Sequence, residues 1–238
     1  MKLDERNGVI ASTIEEFTST LPAPRPALPS SIRNTIDQVF AADDINDILR
    51  SLQRHADGGD ATIAEWARKT KATIEIRSPT SVLVTLRMLR ASSRWTIAEA
   101  FQREYAIASE FMSHGDFVEG VDATLIRRSK DRPNWTPNTL TEASAANTIG
   151  AIDAFFPDTL PDRLPLLRSG AGAQYTDYPH APLSLPREKD ILTSLSDPSV
   201  EGDAEKCVQF WLFECDGRVG VREKVEDVLE RRFLRESN

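Results

Sequence analysis

Apolar residues recur at helical spacing along most of this chain, and this pattern predicts a fold built mainly from α-helices. The clearest case follows Thr96, where Glu99 three residues later completes the pattern of a capping box at a helix start. A helix of about 17 residues, roughly 25 Å long, is predicted from there. Its apolar residues fall on one side and are Ile97, Ala100, Phe101, Tyr105, Ala108, Phe111 and Met112.

Another helix start is predicted at Ser78, with this serine as the N-cap and Pro79 in the first helical position. The residues that follow form a broad apolar face, so this helix is predicted to be well buried. Their β-branched members leave a strand open as the alternative. The apolar face consists of Val82, Leu83, Leu86 and Leu89.

The stretch HGDFVEG, residues 114–120, is predicted to form a corner between two helices. Asp116 and Glu119 are either an acid–base pair or a second capping box, and we favour the box, which stabilises by about 1 kcal/mol. His114 is expected to bond a carbonyl at the end of the preceding helix. Gly120 inside a helix costs about 1 kcal/mol relative to Ala, so it predicts a close approach of another helix.

Changes in composition divide the chain into three predicted parts. Residues 1–142 carry the helical patterns described above. Residues 143–202 are rich in Ala, Ser, Pro, Gly and Asp, and we predict a largely irregular Pro/Gly-rich connector there. Residues 203–238 close the chain with a predicted pair of helices. The second of these carries Val221, Val225, Val228, Leu229 and Phe233 on one face.

The charge of the chain argues against a general attraction to nucleic acid. There are 29 Lys and Arg residues against 37 Asp and Glu residues, a formal net charge of −8. One stretch departs from this balance, and we call it the basic loop; it could meet a phosphate or RNA backbone, or it could be a solvated loop, which the residues alone favour. The basic loop contains Arg127, Arg128, Lys130 and Arg132, close to Trp135.

Residue spacing predicts no catalytic, cofactor-binding or metal-binding residue. The three histidines are scattered, and CxxC, HExxH, GxSxG and P-loop patterns do not occur. Cys207 and Cys215 are predicted to be reduced core residues. No run of 18 apolar residues is present, and the first 20 residues resemble neither a secretory signal nor a transit peptide.

Three stretches, in this order, carry a resemblance to a known family: ATIEIRSPTSVLVTLRMLR, TIAEAFQREYAIASEFMSHGDFVEGVDATLI and RPNWTP. Their SPTS, DFxEGV and PxWxP patterns, the last containing Trp135, resemble the C-terminal half of 3-hydroxyisobutyryl-CoA hydrolases, in the crotonase (enoyl-CoA hydratase/isomerase) superfamily. The resemblance implies the helical C-terminal portion of a crotonase-like α/β fold. It also implies acyl-CoA thioester hydrolysis in valine breakdown, and a mitochondrial localisation.

The resemblance also implies that the reacting groups of the family lie outside this chain. In the family, the oxyanion hole and the acidic residues come earlier in the sequence, and this chain is expected to begin after them. No catalytic residue is therefore carried over, and the chain alone is expected to be inactive. An acyl-CoA substrate is expected only if the missing core is joined to it. Asp122 stands where the family has an arginine.

The C-terminal stretches YPHAPLSLP and GRVGVREKVEDVLERR are similar to the extended C-termini of fungal members of this family. One such member is a component of the mitochondrial ribosomal small subunit, which implies an alternative, non-catalytic function. In that case the basic loop is a candidate contact for mitoribosomal proteins or RNA. The helices between residues 60 and 126 carry larger apolar faces than they can cover themselves, so an exposed apolar patch is predicted where the core would dock.

Overall fold

The computed structural model describes residues 3–18, 28–158 and 180–233, and these residues form helices and no strand. The prediction of a mainly α structure is confirmed. Two α-helices continue directly into a π-helical turn, at Asp122–Ile126 and at Leu229–Phe233. In chain order the α-helices are α1 (Leu3–Thr18), α2 (Ser30–Val39), α3 (Ile45–Ala56), α4 (Ala61–Glu75), α5 (Pro79–Ser92), α6 (Ile97–Ser113), α7 (Gly115–Val121), α8 (Leu140–Ala143), α9 (Ala146–Asp153), α10 (Glu188–Ser194), α11 (Ala204–Glu214) and α12 (Val221–Val228).

Side chains at the helix starts explain where several helices begin. Asp44 and Asp60 each accept two backbone N–H bonds from the first turns of α3 and α4. The predicted capping box of α6 is confirmed. Thr96 Oγ1 accepts a hydrogen bond from the Glu99 amide at 3.2 Å, and the Thr96 amide donates to the Glu99 carboxylate at 2.8 Å.

Helix α5 begins as predicted, with Ser78 as its N-cap and Pro79 in the first turn, and the strand alternative is wrong. Ser78 Oγ accepts a hydrogen bond from the Ser81 amide at 3.2 Å. The prediction that the whole apolar face of α5 is buried is also wrong. Val82, Leu83 and Leu86 are half-buried and Leu89 is 59% exposed, because much of the face lines an open groove.

The chain forms two compact units, one of Met1–Asn34 with Asp177–Asn238 (unit 1) and one of Thr35–Thr176 (unit 2). The division into 1–142, 143–202 and 203–238 stays a prediction. Residues 159–179 of the expected connector lie outside the described residues. In the rest of it, the expectation of irregular structure is wrong for α9 and α10, which are too short for their spacing to stand out in the sequence.

Unit 2 is held together by two apolar clusters. Helices α3 and α4 pack against each other and form the first cluster, and α5 contributes to both clusters. The first contains Val39, Ile45, Ile48, Leu52, Ala56, Ala67 and Leu140. The second contains Val84, Ile107, Ile152 and Phe155.

Unit 1 has its core between α10, α11 and α12. The predicted closing pair of helices is confirmed by α11 and α12, which pack against each other. Helix α10 joins them with Ile191, which is fully buried. Cys207 is buried and Cys215 half-buried; both are free thiols, as predicted, and burial raises the pKa of each. The core also contains Val200, Val208, Val221, Val225, Val228 and Leu229.

Candidate functional site

The corner between α6 and α7 is formed by His114, which ends one helix and caps the next. Its Nδ1 accepts a hydrogen bond from the Asp116 amide at 3.2 Å. His114 does bond a carbonyl at the end of α6, but with its backbone amide, which donates to Phe111 at 2.9 Å, and the prediction that Asp116 is the N-cap is wrong. Helix α7 begins at Gly115, so Asp116 lies in its first turn, and its own amide needs the acceptor that His114 supplies.

Asp116 is a buried carboxylate that joins three parts of unit 2. It is 5% exposed, and its Oδ2 accepts a hydrogen bond from Ser78 Oγ at 2.5 Å. Its Oδ1 accepts a hydrogen bond from the Thr136 amide at 2.8 Å. These two bonds offset the cost of burying the carboxylate, because bonds to ionised acceptors are the strong ones. Asp116 thus connects α7 to the start of α5 and to the segment that follows the basic loop.

Glu119 has a similar connecting role, and the predicted second capping box does not form. Its Oε1 accepts hydrogen bonds from the Asn134 amide and from Arg127 Nη2, both at 2.8 Å. The backbone bond from Asn134, and then Arg127, hold the pKa of Glu119 below its ordinary value. Arg127 also bonds Asp122, and these two carboxylates raise the pKa of the guanidinium. The basic loop is thereby anchored to α7.

The position of the Trp135 indole explains why residue 120 has no side chain. A Cβ on Gly120 would lie 3.2 Å from Cη2 of the Trp135 ring, closer than side chains normally approach. Trp135 Nε1 donates to the Ile76 carbonyl at 3.0 Å, which fixes the indole at the end of α4. The close approach predicted from Gly120 is therefore present, but the approaching group is an indole and not a helix.

In this geometry the two carboxylates connect different elements of unit 2. Asp116 and Glu119 accept hydrogen bonds from different groups, so the two carboxylates do not share a proton. Ser78, Asp116 and His114 are also not ordered as a nucleophilic triad. In a triad the serine hydroxyl donates to the imidazole, whereas here it donates to the carboxylate, and the imidazole accepts from a backbone amide.

The basic loop is only partly available to a partner. Arg127 is paired with the two carboxylates described above, and Arg132 donates to the side chain and the carbonyl of Asn138 at 2.8 and 2.6 Å. Arg128 and Lys130 are exposed and make no ion pair within the parts of the chain that the structure describes. The sequence analysis missed the pairing of Arg127, although carboxylates five and eight residues earlier on α7 and its π-helical turn were a usable signal.

Helix α6 exposes the apolar stripe that identified it in the sequence. Its buried residues are Ala98, Ala106 and Ile107, and Phe111 of the stripe packs against the second cluster, whereas four other large side chains of the stripe are exposed. The exposed fractions are 37% for Ile97, 58% for Phe101, 40% for Tyr105 and 62% for Met112; we call these four residues the α6 stripe. The following elements add exposed side chains of Phe117, Val118, Leu125 and Ile126. The prediction of an exposed apolar patch between residues 60 and 126 is confirmed.

Unit 2 also contains an open apolar groove, with a volume of about 540 Å³. It is lined mainly by α3, the end of α4 and α5, including Ile48, Ile74, Leu86 and Leu89, with Trp135 at its edge. This volume lies within the usual range for small-molecule sites. Throughout the three described ranges, no three His, Cys, Asp or Glu side chains gather as metal ligands. No helix within them is long and apolar enough to cross a membrane.

Comparison with known proteins gives one family match. A profile of the enoyl-CoA hydratase/isomerase family matches residues 1–156, which include the whole corner. The chain is similar to small ribosomal subunit protein mS47 of Neurospora crassa, with 34% identity over 236 residues, or 98% of this chain and 45% of that protein. It is also similar to mS47 of Schizosaccharomyces pombe, with 35% identity over 127 residues, or 53% of this chain and 29% of that protein.

A mitochondrial enzyme is among the relatives as well. Human 3-hydroxyisobutyryl-CoA hydrolase, mitochondrial, is 31% identical over 137 residues, which cover 57% of this chain and 33% of that protein. The chain thus spans less than half the length of each of these relatives. The resemblance predicted from the motifs is confirmed, for both the hydrolases and the extended fungal relatives. The predicted mitochondrial localisation is confirmed by these relatives.

Proposed function

Since the chain belongs to the enoyl-CoA hydratase/isomerase family, we propose that it is part of a non-catalytic component of the mitochondrial ribosome's small subunit. The extent of the similarity to mS47 of Neurospora crassa carries this proposal. That alignment covers 236 residues and passes residue 156, where the family profile ends, whereas the alignment with the human hydrolase covers 137 residues. The alternative function in the sequence analysis is therefore better supported than the hydrolase function placed first there.

The α6 stripe supports a role in assembly. Large apolar side chains that stay exposed over several turns of a helix mark a surface that another surface covers. This chain aligns with 45% of the Neurospora crassa relative and 29% of the Schizosaccharomyces pombe relative, so both relatives have additional residues to supply that cover. We propose that the crotonase-like core of the full-length protein docks against the α6 stripe. The corner at His114 then fixes the angle between α6 and α7.

Dye binding tests this docking surface. The chain on its own should bind an apolar fluorescent dye strongly, and Phe101→Ser combined with Met112→Ser should remove most of the signal. Both side chains are mostly exposed, so the double variant should keep its stability. Phe213→Ser is the matched control, because Phe213 is 82% exposed on α11 in unit 1. A chain that binds no dye, or a control as effective as the double variant, would contradict the proposal.

We also propose that Arg128 and Lys130 contact mitoribosomal RNA or protein, because their charges are exposed while Arg127 and Arg132 are engaged within the chain. Replacing both with Gln in the full-length protein should weaken its association with the small subunit without changing its fold. Lys69→Gln with Arg68→Gln is the control, since these exposed cations lie on α4. Equal association of all three proteins would rule out the basic loop as a contact.

A second candidate function is acyl-CoA thioester hydrolysis in valine breakdown, favoured by the similarity to 3-hydroxyisobutyryl-CoA hydrolase. Sucrose-gradient sedimentation of mitochondrial extracts separates the two. If the ribosomal proposal is right, the full-length protein follows the small subunit, including after magnesium depletion separates the subunits. Purified protein should then show no turnover of 3-hydroxyisobutyryl-CoA above background. Sedimentation away from ribosomal particles together with clear turnover would overturn the proposal and support the enzyme.

A further inference from the structure

A network of charged side chains lies beside the core of unit 1, and its centre is Asp227. This carboxylate is 8% exposed and accepts hydrogen bonds from Arg33 Nη1 and Arg231 Nε, both at 3.0 Å. Ser30 Oγ donates to it at 3.2 Å. Asp227 therefore ties the start of α2 to α12 and to the π-helical turn that follows.

A second carboxylate, Glu188 at the start of α10, completes the network. It accepts hydrogen bonds from Arg231 Nη2 and from Arg232 Nε, both at 2.7 Å. Burial raises the pKa of Glu188, but its bonds to Arg231 and Arg232 outweigh this effect and hold the pKa below its ordinary value. All four oxygens of the two carboxylates accept hydrogen bonds, those of Glu188 from two arginines and those of Asp227 from two arginines and Ser30.

Cations nevertheless remain in excess at this place. Arg231 is 3% exposed, and its Nη1 has no hydrogen-bond partner among the residues that the structure describes. Lys224 precedes Asp227 by three residues and Arg231 by seven, so the helical repeat puts the three on one face. Lys224 is half-buried and forms no ion pair with any residue that the structure describes. Burial lowers the pKa of its ammonium group, and Arg33 and Arg231 lower it further, although Glu188 and Asp227 act in the opposite direction.

Arg33, on α2, adds a further cation beside Asp227 and therefore beside the face of α12 that carries Lys224. Its side chain is 35% exposed, and among the described residues it uses only Nη1 for a hydrogen bond, which leaves its other N–H groups available. Glu230 also lies here and accepts a bond from Ser30, so among the described residues four cations lie beside three carboxylates. The rest of the chain is acidic, so this is a local reversal of charge. An anion between Lys224 and Arg33 would supply the missing counter-charge.

We propose that Lys224 and Arg33 form a binding site for a phosphate group, next to the buried Arg231. Phosphate oxygens accept bonds from a guanidinium fork and an ammonium group together, and the combined field of three cations favours its charge over that of a single carboxylate. The phosphate is carried either by an RNA backbone or by a small molecule. The site lies in unit 1 and does not depend on the ribosomal role of the full-length protein.

Titration of the purified chain with inorganic phosphate and, separately, with a short single-stranded RNA tests the proposal. Binding of either one is expected, with the Lys224 ammonium resonance moving on addition, because a nearby anion raises the pKa of this lysine. Lys224→Gln should weaken binding about tenfold, the loss of about 1.4 kcal/mol expected for one charge-assisted hydrogen bond. Lys224→Arg should retain most of it. Binding of RNA alone identifies a nucleic-acid contact, and binding of phosphate alone identifies a small-molecule site.

Lys206→Gln is the matched control, because Lys206 lies in the same unit but is already paired with Glu201 at 2.6 Å. Lys224→Gln should fold normally, since it removes a partly buried cation that other cations repel. The proposal is overturned if neither ligand binds, if both lysine variants bind alike, or if an acidic peptide binds at this lysine as tightly as phosphate and RNA.

Discussion

Helices α6 and α12 have similarly clear amphipathic patterns, yet one exposes its apolar stripe and the other buries it. In α12, Val221, Val225 and Val228 are completely buried against α10 and α11. In α6, Phe101 and Met112 are more than half exposed. An apolar stripe therefore shows that a helix has a face to bury, but it does not show that the partner is part of the same chain.

The largest expected effect comes from truncating the core of unit 1. Ile191→Ala should lower the free energy of unfolding of that unit by about 2–5 kcal/mol, because it leaves a cavity among fully buried side chains. Met112→Ala on the α6 stripe should change stability by less than about 0.5 kcal/mol. Hydrogen exchange resolved by segment measures both effects. A large loss at Met112 would show that α6 is already covered within this chain.

The corner should be the next most sensitive place, because polar bonds hold α7 where apolar packing is thin. Asp116→Asn should cost about 1–3 kcal/mol, since its amide group would face the Ser78 hydroxyl that now donates to the carboxylate. Urea unfolding of unit 2 measures this loss. Asp131→Asn, in the exposed basic-loop segment, is the control. If both variants unfold alike, Asp116 does not hold the corner.

A smaller effect is expected at Gly120. Alanine is favoured over glycine in a helix by about 1 kcal/mol, but here its Cβ would press on the Trp135 ring and should cancel that gain. Gly150→Ala in α9 meets nothing within 4 Å and should stabilise. NMR of the Trp135 indole N–H, bonded to the Ile76 carbonyl, should detect a shift only for Gly120→Ala. Equal stabilisation by both substitutions would contradict the close approach.

The smallest effect concerns pH and Glu119. Because folding lowers the pKa of this carboxyl from its ordinary value of 4.5, its contribution to stability is present above that value. The contribution is lost as the pH falls further, through the lower pKa of the folded state. The Asn134 amide resonance should follow this step, and Glu119→Gln should abolish it. An Asn134 titration at or above 4.5 would refute the assigned bond.

Local features of this chain could be predicted from the sequence because their partners are close in the chain. Thr96 and Glu99 are three residues apart, and the capping box formed as expected. The partners of Asp116 are Ser78 and Thr136, which lie 38 and 20 residues away, so spacing alone suggested the wrong cap. Gly120 correctly indicated a close approach, but no local pattern identified Trp135 as the neighbour.

Burial was harder to predict than helix position, because the side chains that cover a helix are often distant from it in the sequence. The broad apolar face of α5 predicted a buried helix, yet Leu89 faces an open groove. Helix α10 has seven residues, too few to show a periodic pattern, although Ile191 contributes to the core of unit 1. The network around Asp227 depends on Arg33, whose position 194 residues earlier gives no sign of the contact.

The hydroxyl of Ser78 accepts from the Ser81 amide and donates to Asp116, which in turn accepts from the Thr136 amide. These hydrogen bonds thus connect the segment after the basic loop with the first turn of α5, two places that are more than fifty residues apart in sequence. A partner that displaced Thr136 would therefore remove one of the two hydrogen bonds that offset the burial of the Asp116 carboxylate. Ser78→Ala would remove both the N-cap of α5 and one hydrogen bond of the buried Asp116 carboxylate.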